Sequence, residues 1–137
     1  MNSKSPWFYK GVVFTDKNIP ENAVGFVYKM QAIIDGKHVK YIGKKKFGKK
    51  ALAALTDKRS KKYEIVTKLD YQKYFSSNKV LKDAHKKGII INRNILVICY
   101  SKTELTYQET KLQFINEVLE KDEFLNANIL GRFYKQK

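Results

Sequence analysis

Cysteine occurs once in the 137 residues, so no internal disulfide can form. Cys99 lies in the apolar run 95–100, which makes a buried strand thiol in a reducing compartment the expectation. Only two prolines are present, and 43% hydrophobic with 30% charged residues is a globular composition, not a disordered one. No apolar run approaches the ~18 residues of a membrane span. The opening MNSKSPWFYK lacks the apolar stretch of a secretory signal, and the cytoplasm is the expected compartment. Histidine occurs twice, with no His/Cys constellation suited to zinc, and neither a Ser-His-Asp order nor a glycine-rich phosphate loop is visible.

Acids are the other shortage. Asp and Glu number 13 against 28 Lys and Arg, a net charge of +15 that calls for a polyanionic partner, nucleic acid ahead of a membrane surface. Between Lys37 and Lys62, 11 of 26 residues are Lys or Arg and Asp57 is the only acid. Tyr41, Phe47, Leu52, Leu55 and Tyr63 interrupt the run, so it belongs to the folded body. Lys44, Lys45, Lys46, Lys49, Lys50, Lys58, Lys61 and Lys62 are therefore expected to form a phosphate-contacting surface.

At residues 23–43, AVGFVYKMQAIIDGKHVKYIG, two apolar-rich runs flank Asp35-Gly36. That dipeptide tolerates positive φ at both central positions of a tight turn and marks a β-hairpin. With these two as the loop, Met30 faces Tyr41 and Tyr28 faces Gly43. Period-two alternation then puts both phenols on one face, on a diagonal, with His38 on the other. The missing side chain at Gly43 is expected to leave open space in front of Tyr28. Tyrosines on a sheet are by themselves ordinary packing residues.

Residues 1–22 carry Trp7, Phe8 and Tyr9, then Gly11-Val-Val-Phe14, and read as a short strand or clasp against a sheet edge. Residues 49–55, KKALAAL, are strong helix formers, and 56–62 read as a polar loop or frayed helix end. Residues 70–75 suit about one helical turn. Ser77-Asn78 can cap a helix through Lys87, which Gly88 stops. The β-branched run 89–100 reads as a central strand. Thr103 or Ser101 can begin the longest helix, expected to reach Glu120, with Leu105, Leu112, Ile115 and Leu119 as a buried stripe widening to Tyr107, Phe114 and Val118. Glu109 and Asn116 then sit at the stripe's margin, and Lys111 falls inside the apolar arc without a reason. Residues 124–134 read as a last strand. The class is α/β of the α+β type, in one domain over 1–137: a clasp at 1–22, a core at 23–128 and a basic tail at 129–137.

Phe26-Val27-Tyr28 followed by Tyr41-Ile42-Gly43 resembles the paired signature of the GIY-YIG endonucleases. WFYKG, GFVYKM, YIGKKKF, DYQKYFSS, ILVICYSK and ETKLQF resemble, in that order, small GIY-YIG proteins of tailed bacteriophages, over nearly the whole chain. The resemblance implies a small three-stranded antiparallel sheet flanked by helices, with short extra strands at both ends. It also implies a metal-dependent endonuclease acting on double-stranded DNA, using Mg2+ or Mn2+, as monomer or dimer. The catalytic set it implies is Tyr28, Tyr41, Arg59, Glu109 and Asn126, with Asn128 close behind Asn126 and with Glu109 as the metal ligand. The chain departs from the pattern in several places: Phe-Val-Tyr stands for Gly-Ile-Tyr, and Tyr71 and Phe75 stand where the phage proteins have Trp and Tyr. Ala51 stands where many members carry the phosphate-binding arginine, which leaves Arg59 or one of Lys44–Lys46 for that role. Ser76 stands where the phage proteins have a glycine. The alternative reading is a non-catalytic nucleic-acid-binding protein on the same scaffold.

The chemistry accords with those residue types. Phosphodiester hydrolysis needs an activated water, a Lewis acid and cations on the developing charge. One carboxylate can hold an Mg2+ that keeps most of its waters. A phenol beside cations can orient or deprotonate the attacking water.

Overall fold

The computed structural model describes residues 5–54 and 63–136. Its main sheet has five strands in the order β2-β1-β7-β3-β4. They are β1 (Trp7–Tyr9), β2 (Val12–Phe14), β3 (Gly25–Ile34), β4 (Lys37–Lys46) and β7 (Asn92–Cys99). The three-stranded antiparallel core expected from the resemblance is β4-β3-β7, and β1 adds to β7 in parallel, carrying β2 with it. The amino-terminal clasp is thus part of the sheet. Trp7 is fully buried, its ring edge-on to Phe26 at 4.8 Å and its Nε1 donating to the Tyr71 carbonyl at 2.9 Å.

The hairpin takes the register that its turn residues dictate. Asp35 and Gly36 have φ of 51° and 77°, Met30 pairs with Tyr41, and Tyr28 pairs with Gly43. The pairing of β3 with β7 slips between Val27 and Tyr28, leaving Leu96 as the extra residue. A bulge of this kind re-aims the neighbouring side chains, and here it lies beside Tyr28.

The next segment corrects the propensity reading. Residues 49–55 were expected as helix, but β5 (Gly48–Ala54) is a strand and pairs antiparallel with β6 (Tyr63–Leu69) in a two-stranded sheet. Alanine and leucine favour helix only weakly, and a β-branched partner strand outweighs that preference. Residues 71–73 form one 3-10 turn. Helix α1 (Lys79–Lys86) is capped by Asn78, whose side chain accepts from Val80 N at 2.9 Å, and it ends at Gly88 with φ of 86°.

Helix α2 (Lys102–Ile115) starts at Ser101, whose hydroxyl accepts from Glu104 N at 3.0 Å. It stops a turn sooner than expected. Glu117 takes φ of 54°, its N–H bonds the Phe114 carbonyl at 3.1 Å, and Val118 N bonds the Gln113 carbonyl at 3.2 Å. That is a Schellman closure with glutamate in the place glycine usually holds. The buried face is also rotated from the expected stripe. Leu105 and Gln113 are buried and Glu109, Leu112 and Asn116 half-buried, an i, i+4, i+7, i+8, i+11 face. Tyr107, Phe114 and Ile115 are exposed, and so is Lys111, whose position is then unremarkable.

Two cores result. One face of the sheet packs Trp7, Phe26, Tyr28 and Met30 against Tyr71 and Leu81. The other packs Val27 and Ile42 against Leu105, Val118 and Phe124. The chain end expected as one strand is instead a bridge of Phe124 to Lys40 and a small hairpin of β8 (Asn128–Ile129) and β9 (Phe133–Tyr134). Among the described residues no helix is long and apolar enough to cross a membrane.

Candidate active site

Strand β4 is the outer strand of the sheet, and its free edge would expose backbone donors and acceptors. Residues 123–126 cover it. Lys40 N donates to the Glu123 carbonyl at 2.8 Å and Leu125 N to the Lys40 carbonyl at 2.7 Å. Asn126, buried, then grips both backbone groups of Ile42: its Oδ1 accepts from the amide at 3.1 Å and its Nδ2 donates to the carbonyl at 2.8 Å. Gln113 Nε2 donates to the same carbonyl at 3.0 Å. Ile42 lies between Tyr41 and Gly43, so a helix residue and a loop residue together fix the segment that carries the signature.

Tyr28 and Tyr41 share the sheet face toward α1, with ring centroids 6.3 Å apart. The space expected in front of Tyr28 is taken by its own phenol. A Cβ on Gly43 would lie 2.6 Å from the Tyr28 hydroxyl and 2.9 Å from Tyr41 Cε2, so only glycine fits there. Tyr28 is fully buried. Its hydroxyl shares a hydrogen bond with the Tyr74 hydroxyl at 3.1 Å and donates to Ser76 Oγ at 3.4 Å. Burial, with Tyr74 adding to it, holds the Tyr28 phenol well above the usual range and therefore protonated.

Ser76, at the position where a glycine was expected, has φ of 77° and is buried. The tight turn survives the substitution, with the serine in the left-handed region and its hydroxyl also accepting from Asn78 N at 3.0 Å. Tyr41 is half-buried. Burial raises its phenol, the Ser77 side chain opposes this, and Tyr74 and Glu109 raise it further.

Glu109 comes from α2, on the other side of β4, with 17% of its side chain exposed. Its Oε1 is 3.8 Å from Lys44 Nζ, which also donates to Thr106 Oγ1 at 2.9 Å. Burial raises the carboxyl and Lys44 pulls it back down. Lys44, Lys46, Lys49 and Lys102 line a cleft of about 500 Å³ with Leu105 and Thr106 on its α2 wall. Lys45 also borders this cleft, but its ammonium is turned away to the tyrosine side. Its ammonium is 2.6 Å from Asp70 Oδ1 and 5.4 Å from the Tyr74 ring centroid.

Strand β4 thus carries Tyr41 beside Tyr28 on one face and Lys44 beside Glu109 of α2 on the other, with Asn126 on the strand's backbone. Arg59, Lys58, Lys61 and Lys62 lie outside the described residues, as does the side chain of Lys50. Tyr74, Ser76, Ser77, Gln113, Lys102 and Thr106 were not among the expected site residues. DYQKYFSS held the first three in plain sight as a motif, whereas Gln113 shows only once the helix face is known. The histidines stay outside the site: His38 bonds Gln31 Oε1 at 3.0 Å, and His85 stacks on Phe75. Among the described residues, no three of His, Cys, Asp and Glu gather as a metal cage. A lone carboxylate beside a basic cleft suits a hard cation that keeps most of its waters, as Mg2+ does.

The family model described as "Putative endonuclease segE, GIY-YIG domain" matches residues 7–129. No curated protein and no solved structure matches the chain.

Proposed function

The chain belongs to the GIY-YIG endonuclease family, and from that premise we propose that it is a metal-dependent endonuclease hydrolysing phosphodiester bonds of double-stranded DNA, of the phage-encoded kind. The observation that carries this reading is the Glu109 carboxylate, set on the buried face of α2 beside Lys44 of the signature strand. A carboxylate there is a poor choice for packing and a good one for holding a cation against a phosphate.

Glu109 would hold Mg2+ or Mn2+, which when bound supplies Lewis acidity to the scissile phosphate and acidity to a coordinated water. Lys44 stands next to that carboxylate and is the described cation best placed to neutralise the phosphate, the role shared in expectation with Arg59. Tyr41 is the phenol with access to solvent, so it orients the attacking water, whose proton passes to bulk water as its oxygen bonds to phosphorus. The departing deoxyribose oxygen takes a proton back from bulk water as the old P–O bond breaks. Tyr28 acts behind it, as a buried hydroxyl that donates to Ser76 and shares a hydrogen bond with Tyr74, fixing both on the tyrosine face. Asn126 holds the Ile42 backbone, and so sets where Tyr41 points.

Supercoiled plasmid separates this from a DNA-binding protein without catalysis. Nicked or linear product should form with wild type and Mg2+, and should vanish with EDTA or with Glu109→Ala. A wild type that shifts plasmid on a gel but cuts no DNA under any metal would make the binder the correct reading. Cleavage retained by Glu109→Ala would remove Glu109 as the metal ligand.

A further inference from the structure

A second groove, of about 570 Å³, opens between the outward side of α2 and the turn of the β8–β9 hairpin, lined by Lys102, Thr103, Thr106, Tyr107, Thr110 and Leu130. Lys102 and Thr106 line the basic cleft as well, so the two depressions adjoin at these residues. Their chemistry differs. The cleft presents ammonium groups, and the groove presents an aromatic ring, a leucine and threonine hydroxyls. Tyr107 is 61% exposed and Leu130 53%, and the apolar surface runs on over Phe114 and Phe133, whose rings meet edge to face at 5.6 Å. Exposed aromatic surface of this extent on a charged protein marks a contact site.

Charge selects the occupant. The exposed residues of α2 include Lys102 and Lys111, the one acid on that side, Glu104, is taken up by the Tyr100 amide at 2.6 Å, and Arg132 lies in the hairpin turn with Leu130. A second copy of a chain with a net charge of +15 would set lysine against lysine there. A nucleic-acid strand has the matching alternation, with phosphates for the cleft and a base for the ring. We propose that this groove is a nucleobase subsite, in which Tyr107 stacks on an unpaired base of the DNA strand whose phosphates lie in the adjoining basic cleft. The subsite rests on the nuclease reading and extends it. A base reaches a side groove only when it is out of the duplex stack, so the preferred substrate carries a frayed or single-stranded flank beside the double helix. The Thr106 hydroxyl accepts from Lys44 and keeps its own hydrogen to donate to a base edge or phosphate.

The test compares a blunt duplex with the same duplex bearing a short single-stranded flank that contains 2-aminopurine, both titrated with the full chain in EDTA to prevent cutting. Wild type should bind the flanked duplex about tenfold more tightly, the worth of one base–aromatic stack, and should quench the 2-aminopurine. Tyr107→Ala should lose both the preference and the quenching while keeping its affinity for the blunt duplex, and Tyr107→Trp should keep all three. Tyr107 is exposed, so an unchanged Tm for both variants is expected alongside. Equal binding of the two duplexes by a wild type that cuts plasmid would overturn the subsite and leave the nuclease reading standing. A wild type that binds neither would end both. A wild-type dimer by sedimentation that Tyr107→Ala splits would assign the groove to a second copy instead.

Discussion

Ser76 shows how one residue can serve geometry and chemistry at once. Its φ of 77° is a conformation that a Cβ disfavours by about 1–2 kcal/mol, while its hydroxyl ties Asn78 to Tyr28. Ser76→Gly removes the strain and loses the hydrogen bonds, so its stability should fall near that of wild type. Ser76→Ala keeps the strain and loses the same bonds, and urea denaturation should find it about 1–2 kcal/mol less stable than Ser76→Gly. Equal stability of the two variants would mean that the backbone there is unstrained. Nearby, Gly43 is fixed by contact: the Tyr28 hydroxyl and Tyr41 ring occupy the volume a methyl would need. The sequence identified both positions as places where glycine matters, one by its presence and one by its absence. What could not be read there is that Tyr28 fills the space in front of Gly43, because period-two alternation gives a face and no side-chain rotamer.

Among the elements, the outer strand β4 is pinned on its free edge by neighbours distant in sequence. Its Ile42 amide has Asn126 Oδ1 as its partner, whereas the Ile42 carbonyl is bonded twice, by Asn126 and Gln113. Asn126→Ala should therefore leave a buried N–H unpaired, at about 1–3 kcal/mol. Hydrogen exchange should report it locally, with the Ile42 amide losing protection and the Lys40 amide, bonded to Glu123, keeping it. Unchanged Ile42 protection would contradict the edge-pinning role. The hairpin of β3 and β4 was legible because Asp35-Gly36 demands one turn type and the alternation then sets every register pair. Strand β5 was not, since KKALAAL favours helix by composition and takes its conformation from pairing with β6. The α2 face misled for a further reason. Apolar residues were taken to mark the buried side, yet Glu109, Gln113 and Asn116 lie on that side and Tyr107, Phe114 and Ile115 face out. Polar groups on a buried face belong to the site, and they break the pattern that would otherwise reveal it.

For the whole molecule, a net charge of +15 sets the terms of association. Affinity for duplex DNA should fall with salt at a log–log slope of about −0.9 per phosphate contacted. Replacing Lys46, Lys49 and Lys102 by Gln should flatten that slope, because these residues line the cleft on the α2 side. Lys45→Gln should alter it less, since Lys45 borders the cleft but its ammonium is already engaged by Asp70. A slope unmoved by the triple change would place the DNA surface elsewhere. Binding and turnover should then separate at one position. Glu109→Gln keeps the size and hydrogen-bonding reach of the side chain and removes the charge that would hold a metal ion. Single-turnover cleavage and equilibrium binding of one duplex, measured on wild type and Glu109→Gln with Mg2+, test the account most directly. The account predicts that cleavage is abolished while the duplex stays bound at least as tightly as by wild type; cleavage at the wild-type rate by Glu109→Gln would contradict it.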